Sequence, residues 1–222
     1  LHKRGHDLIA VDGFPDFTGG DIRLDRSRRV RGLHDARFYK FDISEVAFDE
    51  IFNIDTNYET PPEVVVHLAA QVGVRQSIDR PMDYIQDNMV GFACVLEACR
   101  EHKIRHLLYA SSSSVYGATP LSQFSVHDPA DHPISLYAAT KRANELMAHS
   151  YAWLYGLPCT GLRFFTVYGP FCRPDMAIPQ FTEAIRQGRP IQLYNEGKHY
   201  RDFTHVSDVV QGILGYMDLP PE

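Results

Sequence analysis

Seven consecutive residues, Val64-Val-Val-His-Leu-Ala-Ala70, carry no Asp, Glu, Lys or Arg, and the run opens on three β-branched side chains. A run this short does not sustain a helix, and branched side chains pack best on a pleated surface. A strand with one wet face would alternate apolar with polar. This one does not, so it reads as a strand of a parallel sheet covered on both sides. Related runs recur along the chain: Asp7 to Asp12, Phe38 to Asp42, His106 to Ser111 and Cys159 to Phe165. Helical patterns lie between them, a long amphipathic one from about Met82 to Lys103 and another from Ser135 to Tyr155 closed by Gly156. Strands alternating with helices predict an α/β fold, a Rossmann-like doubly wound parallel sheet.

The last fifty residues read differently. A helix from Pro179 to Gln187, a short strand Ile191 to Tyr194 and a helix from His205 to Met217 suggest part of a smaller lobe. The expected division is 1–169 for a nucleotide-binding domain and 170–222 for a partial substrate-binding lobe. Gly19-Gly20 and the basic run Arg26 to Arg31 read as an exposed loop with a solvated face.

With 222 residues, 44% hydrophobic and 23% charged, the chain suits a globular domain with a sizeable core. A net charge of −6 gives no footprint for nucleic acid or an anionic membrane, and no apolar stretch approaches a membrane span. No signal-like core follows Leu-His-Lys-Arg-Gly-His. A cytoplasmic location with reduced thiols is therefore expected. Cys94, Cys99, Cys159 and Cys172 form no Cys-x-x-Cys, and no metal site is expected. His102 and His106, beside Lys103 and Arg105, are expected to face water.

The chemistry-bearing signal is Tyr137-Ala-Ala-Thr-Lys141. At i and i+4 the two side chains share a helix face, where an ammonium can lower a phenol pKa and make it a usable proton carrier. Upstream, the strand ending in Ser111-Ser112-Ser113-Ser114 can complete a hydrogen-bond relay. Alone, Tyr-x-x-x-Lys is a weak signal that surface coincidence explains as well.

Asp12 ends a strand, where dinucleotide folds place a carboxylate on the adenosine ribose hydroxyls, favouring NAD over a 2′-phosphorylated cofactor. The bland alternative is a turn former before Gly13. The glycine-rich phosphate turn belongs about 20 residues earlier, but only eleven residues precede Asp12 and no Met starts the chain. The N-terminal strand and its glycine-rich loop are therefore read as missing. The expectation is a fragment, with a gap between the strands around Val11 and Val66, Leu1 to His6 as the end of a helix, and a second cut near Pro220-Pro221-Glu222.

With these residues assembled, the chain resembles the extended short-chain dehydrogenases/reductases, specifically the NAD-dependent epimerase/dehydratase family, and within it the glucuronate branch. The resemblance spans residues 1 to about 218. It is carried by Val65 to Ile78, Tyr109-Ala-Ser-Ser-Ser-Ser-Val-Tyr-Gly117, Tyr137-x-x-x-Lys141, Leu162-Arg-Phe-Phe-Thr-Val-Tyr-Gly-Pro170, Arg173-Pro-Asp-Met-Ala177 and Asn195-Glu-Gly-Lys-x-x-Arg201-Asp-Phe-Thr204. It implies Tyr137 as catalytic base, Lys141 as its partner and nicotinamide-ribose ligand, and Ser112 as the catalytic hydroxyl. It implies NAD as cofactor, lined by Asp12, Asp42, Ile43, Leu68, Ala69, Ala70, Ser111 and Phe164. Ser113 and Ser114 would face the sugar, Thr166 and Arg201 would hold UDP, Tyr194 would pack on uracil, and Arg173 would meet a glucuronate carboxylate. Structural rivals stand beside these: Arg201 pairing with Asp202, Tyr194 as core packing, and Ser113 and Ser114 as solvent-facing. Arg75 is given no role. Cys172 departs from the Gly expected there, which puts the Arg173 contact in question.

The implied reaction is 4-epimerisation of a UDP-sugar, UDP-glucuronate to UDP-galacturonate, through a 4-keto intermediate. Related 4,6-dehydratases place an acidic pair just before Val-Tyr-Gly, and decarboxylases a Glu. Ser113-Ser114 cannot serve as carboxylate bases at neutral pH. The alternatives are UDP-glucose/UDP-galactose epimerisation, another nucleotide-sugar epimerase/dehydratase reaction, or a nucleotide-binding fragment without turnover. Family relatives are often dimers through paired helices, here those at 82–103 and 137–155.

Overall fold

The computed structural model describes residues 1–13, 29–30, 32–33, 36–44, 52, 62–119, 123–198 and 200–221. β1 (Leu8–Asp12) and β2 (Ala36–Lys40) pair in parallel, Leu8 opposite Ala36 and Asp12 opposite Lys40. β3 (Val64–His67) follows, then α1 (Gln76–Asp79), α2 (Pro81–Ile85), a π-helical turn Gln86–Val90 and α3 (Gly91–Glu101). β4 (His106–Ser112) runs into a 3-10 turn, Ser113–Tyr116. The chain continues through α4 (Leu136–Tyr155), β5 (Cys159–Phe164), β6 (Thr166–Tyr168), α5 (Ala177–Arg186), β7 (Phe203–His205) and α6 (Val206–Met217).

β4 is the centre of a three-stranded parallel sheet, flanked by β3 and β5, with Val66 opposite Leu108 and Ala110 opposite Leu162. Its side chains alternate between two cores. Leu107 and Tyr109 join Phe92, Val95, Leu96 and Cys99 of α3 and Ala148 of α4. Leu108 joins Ile213 and Met217 of α6, with Val64 and Val66 packed around them. The sheet is thus covered on both faces, as the uncharged run at 64–70 requires. Phe92 and Leu96 are fully buried, each stabilising the fold by about 2–3 kcal/mol. Their spacing with Val95 and Cys99 is the i, i+3, i+4, i+7 stripe of a one-sided helix.

The gap expected around Val11 and Val66 is present. Among the described residues β1 ladders to β2 and β3 to β4, with no ladder between β1 and β3. The two sheets meet through Ile43, buried just beyond β2, against Gly91 at the start of α3.

Several boundaries differ from the sequence reading. The second strand lies at 36–40 rather than 38–42, because Asp42 folds back to accept hydrogen bonds from Ser44 N and Oγ at 2.9 and 2.8 Å. The segment from Met82 to Lys103 is broken by the π turn. There the carbonyl of Asn88 accepts instead from Asn144 Nδ2 at 2.7 Å. Ile191 to Tyr194 is not a strand: among the described residues nothing pairs with it, and Asn195 and Glu196 turn left-handed (φ 48° and 54°) in a 3-10 turn, Tyr194–Gly197. Leu1 to His6 holds only a 3-10 turn, His2–Arg4, stopped by left-handed Gly5. The helix expected at 179–187 begins two residues earlier. His106 does not face water. It is fully buried on β4, its Nε2 2.8 Å from Thr160 Oγ1 and its Nδ1 3.2 Å from the Met217 carbonyl. His102 stacks on Phe52. Gly19-Gly20 and most of Arg26 to Arg31 lie outside the described residues. Among the described residues no helix is long and apolar enough to cross a membrane.

Candidate active site

The parallel strands end on one side, at Asp12, Lys40, His67, Ser112 and Phe164. Ligands of open α/β sheets bind beyond such strand ends, where no side-chain layer closes the edge. α4 delivers Tyr137 there. Ser135 caps this helix, its Oγ accepting from Ala138 N at 3.1 Å, and Gly156 ends it in a left-handed turn (φ 65°). Tyr137 and Lys141 face β4 together. The Ser112 hydroxyl lies close enough to act on the Tyr137 phenol, and Lys141 Nζ donates to the Ala110 carbonyl at 2.8 Å.

The electrostatics differ in source from the sequence expectation. Burial raises the Tyr137 phenol above its ordinary value, and the influences drawing it down are the Ser112 hydroxyl and the Arg173 guanidinium. Lys141 is itself depressed to about 8 by burial. His67, at the end of β3, is depressed to about 3 by burial and by Lys141, so it is neutral. Ser112 Oγ also accepts from Ser114 N at 3.2 Å, which sets the turn carrying Ser113 and Ser114.

Arg173 lies close enough to act on Tyr137 while forming a bidentate pair with Asp175, Nε–Oδ1 3.0 Å and Nη2–Oδ2 2.7 Å. Cys172 precedes it in the same turn. Its thiol rests 3.8 Å from the Val167 carbonyl, and the left-handed residue in this turn is Phe171 (φ 62°).

The remaining residues form separate groups. Phe41 N donates to the Asp12 carbonyl at 3.1 Å, holding Asp12 beside Asp42 and Ile43. Asp42 acts electrostatically on Asp87, whose Oδ2 accepts from Gln71 Nε2 at 2.7 Å, so the loop of Leu68, Ala69 and Ala70 shares that neighbourhood. Leu68 is exposed there despite its apolar side chain. Thr166 pairs with Phe203 across β6 and β7, which brings it to the segment of Arg201. Arg201 is exposed and donates to the Tyr200 carbonyl at 2.7 Å. Tyr194 is half exposed, not core, and the Arg75 guanidinium sits 4.2 Å from its ring centroid. Phe164 packs on the α6 side of the sheet. The Ser111 hydroxyl is committed to Glu145 at 2.6 Å.

Sequence reasoning missed four groups that hold this arrangement. Asn88 bonds both backbone groups of Gln71 and reaches Thr140 Oγ1 at 3.1 Å, tying the loop after β3 to α4. Tyr84 donates to the Val72 and Gly73 carbonyls and meets the Tyr137 ring edge-on at 6.2 Å between centroids. His67 is a buried neighbour of Lys141. Glu145 continues the Tyr137, Lys141 series at i+8, the one signal in the sequence that marked it.

The profile of the NAD dependent epimerase/dehydratase family matches residues 1–221. The chain belongs to this family. The chain is similar to "Protein CapI" of Staphylococcus aureus, 50% identical over 99% of this chain and 64% of that protein. It is 52% identical to "Probable UDP-glucuronate 4-epimerase" of Rhizobium meliloti, over 100% of this chain and 64% of that one. Among solved structures, the UDP-glucuronic acid 4-epimerase from Bacillus cereus, in complex with UDP-glucuronic acid and NAD, superposes with a TM-score of 0.86. It is 28% identical, over 97% of this chain and 66% of the other. The chain therefore spans about two thirds of the length of these family members. The Rossmann-like α/β fold agrees with that superposition.

Proposed function

We propose that the protein is an NAD-dependent nucleotide-sugar 4-epimerase acting on a UDP-sugar, with UDP-glucuronate converted to UDP-galacturonate as its reaction. The observation that carries the reading is the convergence of Ser112, Tyr137 and Lys141 at the end of the central strand, with Arg173 acting on the same phenol. The names of the relatives support it, and so does the solved neighbour with both ligands bound.

The donor set fits a dinucleotide. Asp12 offers a carboxylate at a strand end, Leu68 an exposed apolar surface, and Ile43 a buried wall. Lys141 is a buried ammonium that makes one hydrogen bond among the described residues, leaving two N–H groups for ribose hydroxyls. NAD, when bound at these residues, would supply the hydride acceptor and donor that the change at C4 requires. Tyr137 takes the C4 hydroxyl proton and gives it back, with Ser112 holding the phenol oxygen. The Arg173 guanidinium and the Ser112 hydroxyl draw the phenol down against its burial. Arg173 supplies the carboxylate contact by exchanging Asp175 for the sugar acid. That contact restrains a 4-keto acid that otherwise loses carbon dioxide readily. Thr166 and Arg201 hold the UDP while the sugar turns, and Tyr194, with Arg75 on its ring, stacks on the base. Residues 1–169 act as the nucleotide-binding part and 170–222 as the substrate lobe.

The test is turnover of UDP-glucuronate with NAD, followed by proton NMR. UDP-galacturonate is the expected product. UDP-xylose would mean decarboxylation, and no product would refute the reading. Tyr137→Phe should lower kcat about 10²- to 10⁴-fold. Arg173→Ala should lower turnover of the glucuronate far more than any activity on UDP-glucose, which loses only the pull of the guanidinium on the phenol. Equal loss on both sugars would reassign Arg173.

A further inference from the structure

Glu145 is the most heavily bonded carboxylate described here and touches none of the groups assigned to proton transfer. Its side chain is 9% exposed. Oε1 accepts from Ser111 Oγ at 2.6 Å and from Arg163 Nε at 2.8 Å. Oε2 accepts from Arg163 Nη2 and from Arg142 Nη1, both at 2.9 Å. Burial alone would raise this carboxyl, but the three donors hold it below the usual range, so it is ionised. Arg142 also reaches Asp131 at 3.2 Å. Arg163, on β5, lies with its guanidinium 4.8 Å from the ring centroid of Tyr116.

These contacts have a common geometry. Ser111 and Tyr116 bracket the segment that contains Ser112 and the 3-10 turn. Glu145 grips its first residue directly and its last through Arg163. Glu145 also lies on the face of α4 that bears Tyr137, eight residues on, a displacement of about 12 Å along the axis. One carboxylate therefore clamps the end of β4 and the edge strand β5 to the helix that carries the phenol. Apart from Glu145, α4 is tied to β4 by the Lys141 bond to the Ala110 carbonyl, which is one point of attachment, and by apolar, non-directional contacts at Met147 and Ala148. The charged clamp is directional and fixes both the slide of α4 along β4 and its rotation on it.

We propose that Glu145 is a positioning residue: through Ser111, Arg163 and Tyr116 it sets the register of α4 on β4 and thereby the placement of the Ser112 hydroxyl beside Tyr137. The inference rests on the reading of Ser112 and Tyr137 as the proton-transfer pair. It predicts coupling, not mere destabilisation. E145Q keeps the volume and removes the charge. In the otherwise unaltered enzyme it should lower kcat about 10- to 100-fold, with KM for the UDP-sugar changed less than about twofold. In a Ser112→Ala background, where the hydroxyl it places is already gone, the same substitution should cost less than about threefold. Equal losses in both backgrounds, or a loss confined to KM, would overturn the proposal.

Hydrogen exchange reads the clamp without turnover. Backbone amides from Ser112 to Gly117 should exchange faster in E145Q while those of α3 stay unchanged; unaltered exchange at 112–117 would refute the clamp. An enzyme with no epimerase activity but with this exchange pattern would sink the functional reading and keep the clamp. Should E145Q fail to fold, E145D carries the same comparisons, since it keeps the charge but withdraws it by one methylene.

Discussion

Lys141 shows most directly how this site works against its own stability. It is 2% exposed, and burial depresses its pKa from 10.5 to about 8. At neutral pH it is still charged, so the fold carries a desolvation cost of about 3 kcal/mol. Removing the ammonium forfeits the bond to the Ala110 carbonyl, worth about 1 kcal/mol. Lys141→Met should therefore stabilise the protein by about 2 kcal/mol at pH 7 while removing activity. Between the folded value near 8 and the unfolded value near 10.5 the unfolded chain binds more protons, so unmodified protein gains stability as pH rises through that window. The advantage of the variant must then shrink from pH 8 to 10.5, and urea denaturation at pH 7 and pH 10 measures it. A variant less stable at pH 7, or an advantage indifferent to pH, would contradict this account. The convergence of Tyr137, Lys141 and Ser112 was legible, because residues at i and i+4 share a helix face and the serine run ends the strand beside it. Glu145 and Asn88 were not, because their meaning lies in partners far along the chain, at Arg163 and Gln71. His106 was misread for the same reason: its flanking charges are local and its burial is not.

At the scale of elements, the decisive piece is the 3-10 turn Ser113–Tyr116 and its glycine stop. Gly117 has φ 67°, and a Cβ there would come within 2.1 Å of the His132 carbonyl oxygen. That oxygen is backbone and cannot step aside as a side chain can. Gly117→Ala should cost at least about 3 kcal/mol, combining left-handed strain with the displaced backbone. Because the turn follows Ser112 directly, kcat should fall more than stability alone explains, measurable at a temperature where the variant is fully folded by circular dichroism. A change in melting temperature below about 3 °C would show that the 132 segment yields easily. The turn was visible in outline as Ser-Val-Tyr-Gly, but the carbonyl that makes the glycine necessary was not. The helix at 136–155 was readable to within a residue because cap, period and stop agree. β6 and β7 were not, since three residues show no period and their pairing spans Thr166 to Phe203. Ile191 to Tyr194 has a strand's composition but no neighbour to pair with, and composition alone does not make a strand.

Over the whole molecule, protection should follow the layering of the two sheets. β4 has a strand on each side and a core on each face. β3 and β5 each ladder to one described strand, and β1 and β2 only to each other, without a fully buried residue in either. Among the described residues, the close contact between the sheets is that of Ile43 with Gly91. Local opening needs less free energy where fewer ladders and fewer buried side chains must be given up. Backbone amides of β4 should therefore exchange most slowly, near the limit set by global unfolding, those of β5 and β3 next, and those of β1 and β2 fastest. This order has a functional edge. Lys141 and Tyr137 are anchored to β4, whereas Asp12 and Asp42 sit at the ends of β1 and β2. A dinucleotide spanning both ends would bridge the most and least protected parts of the molecule. Saturating NAD should then slow exchange chiefly in β1 and β2 and leave β4 almost unchanged, because a ligand stabilises most what opens without it. Uniform slowing would mean that the two sheets already open as one unit. Slowing confined to α4 would place the cofactor away from Asp12.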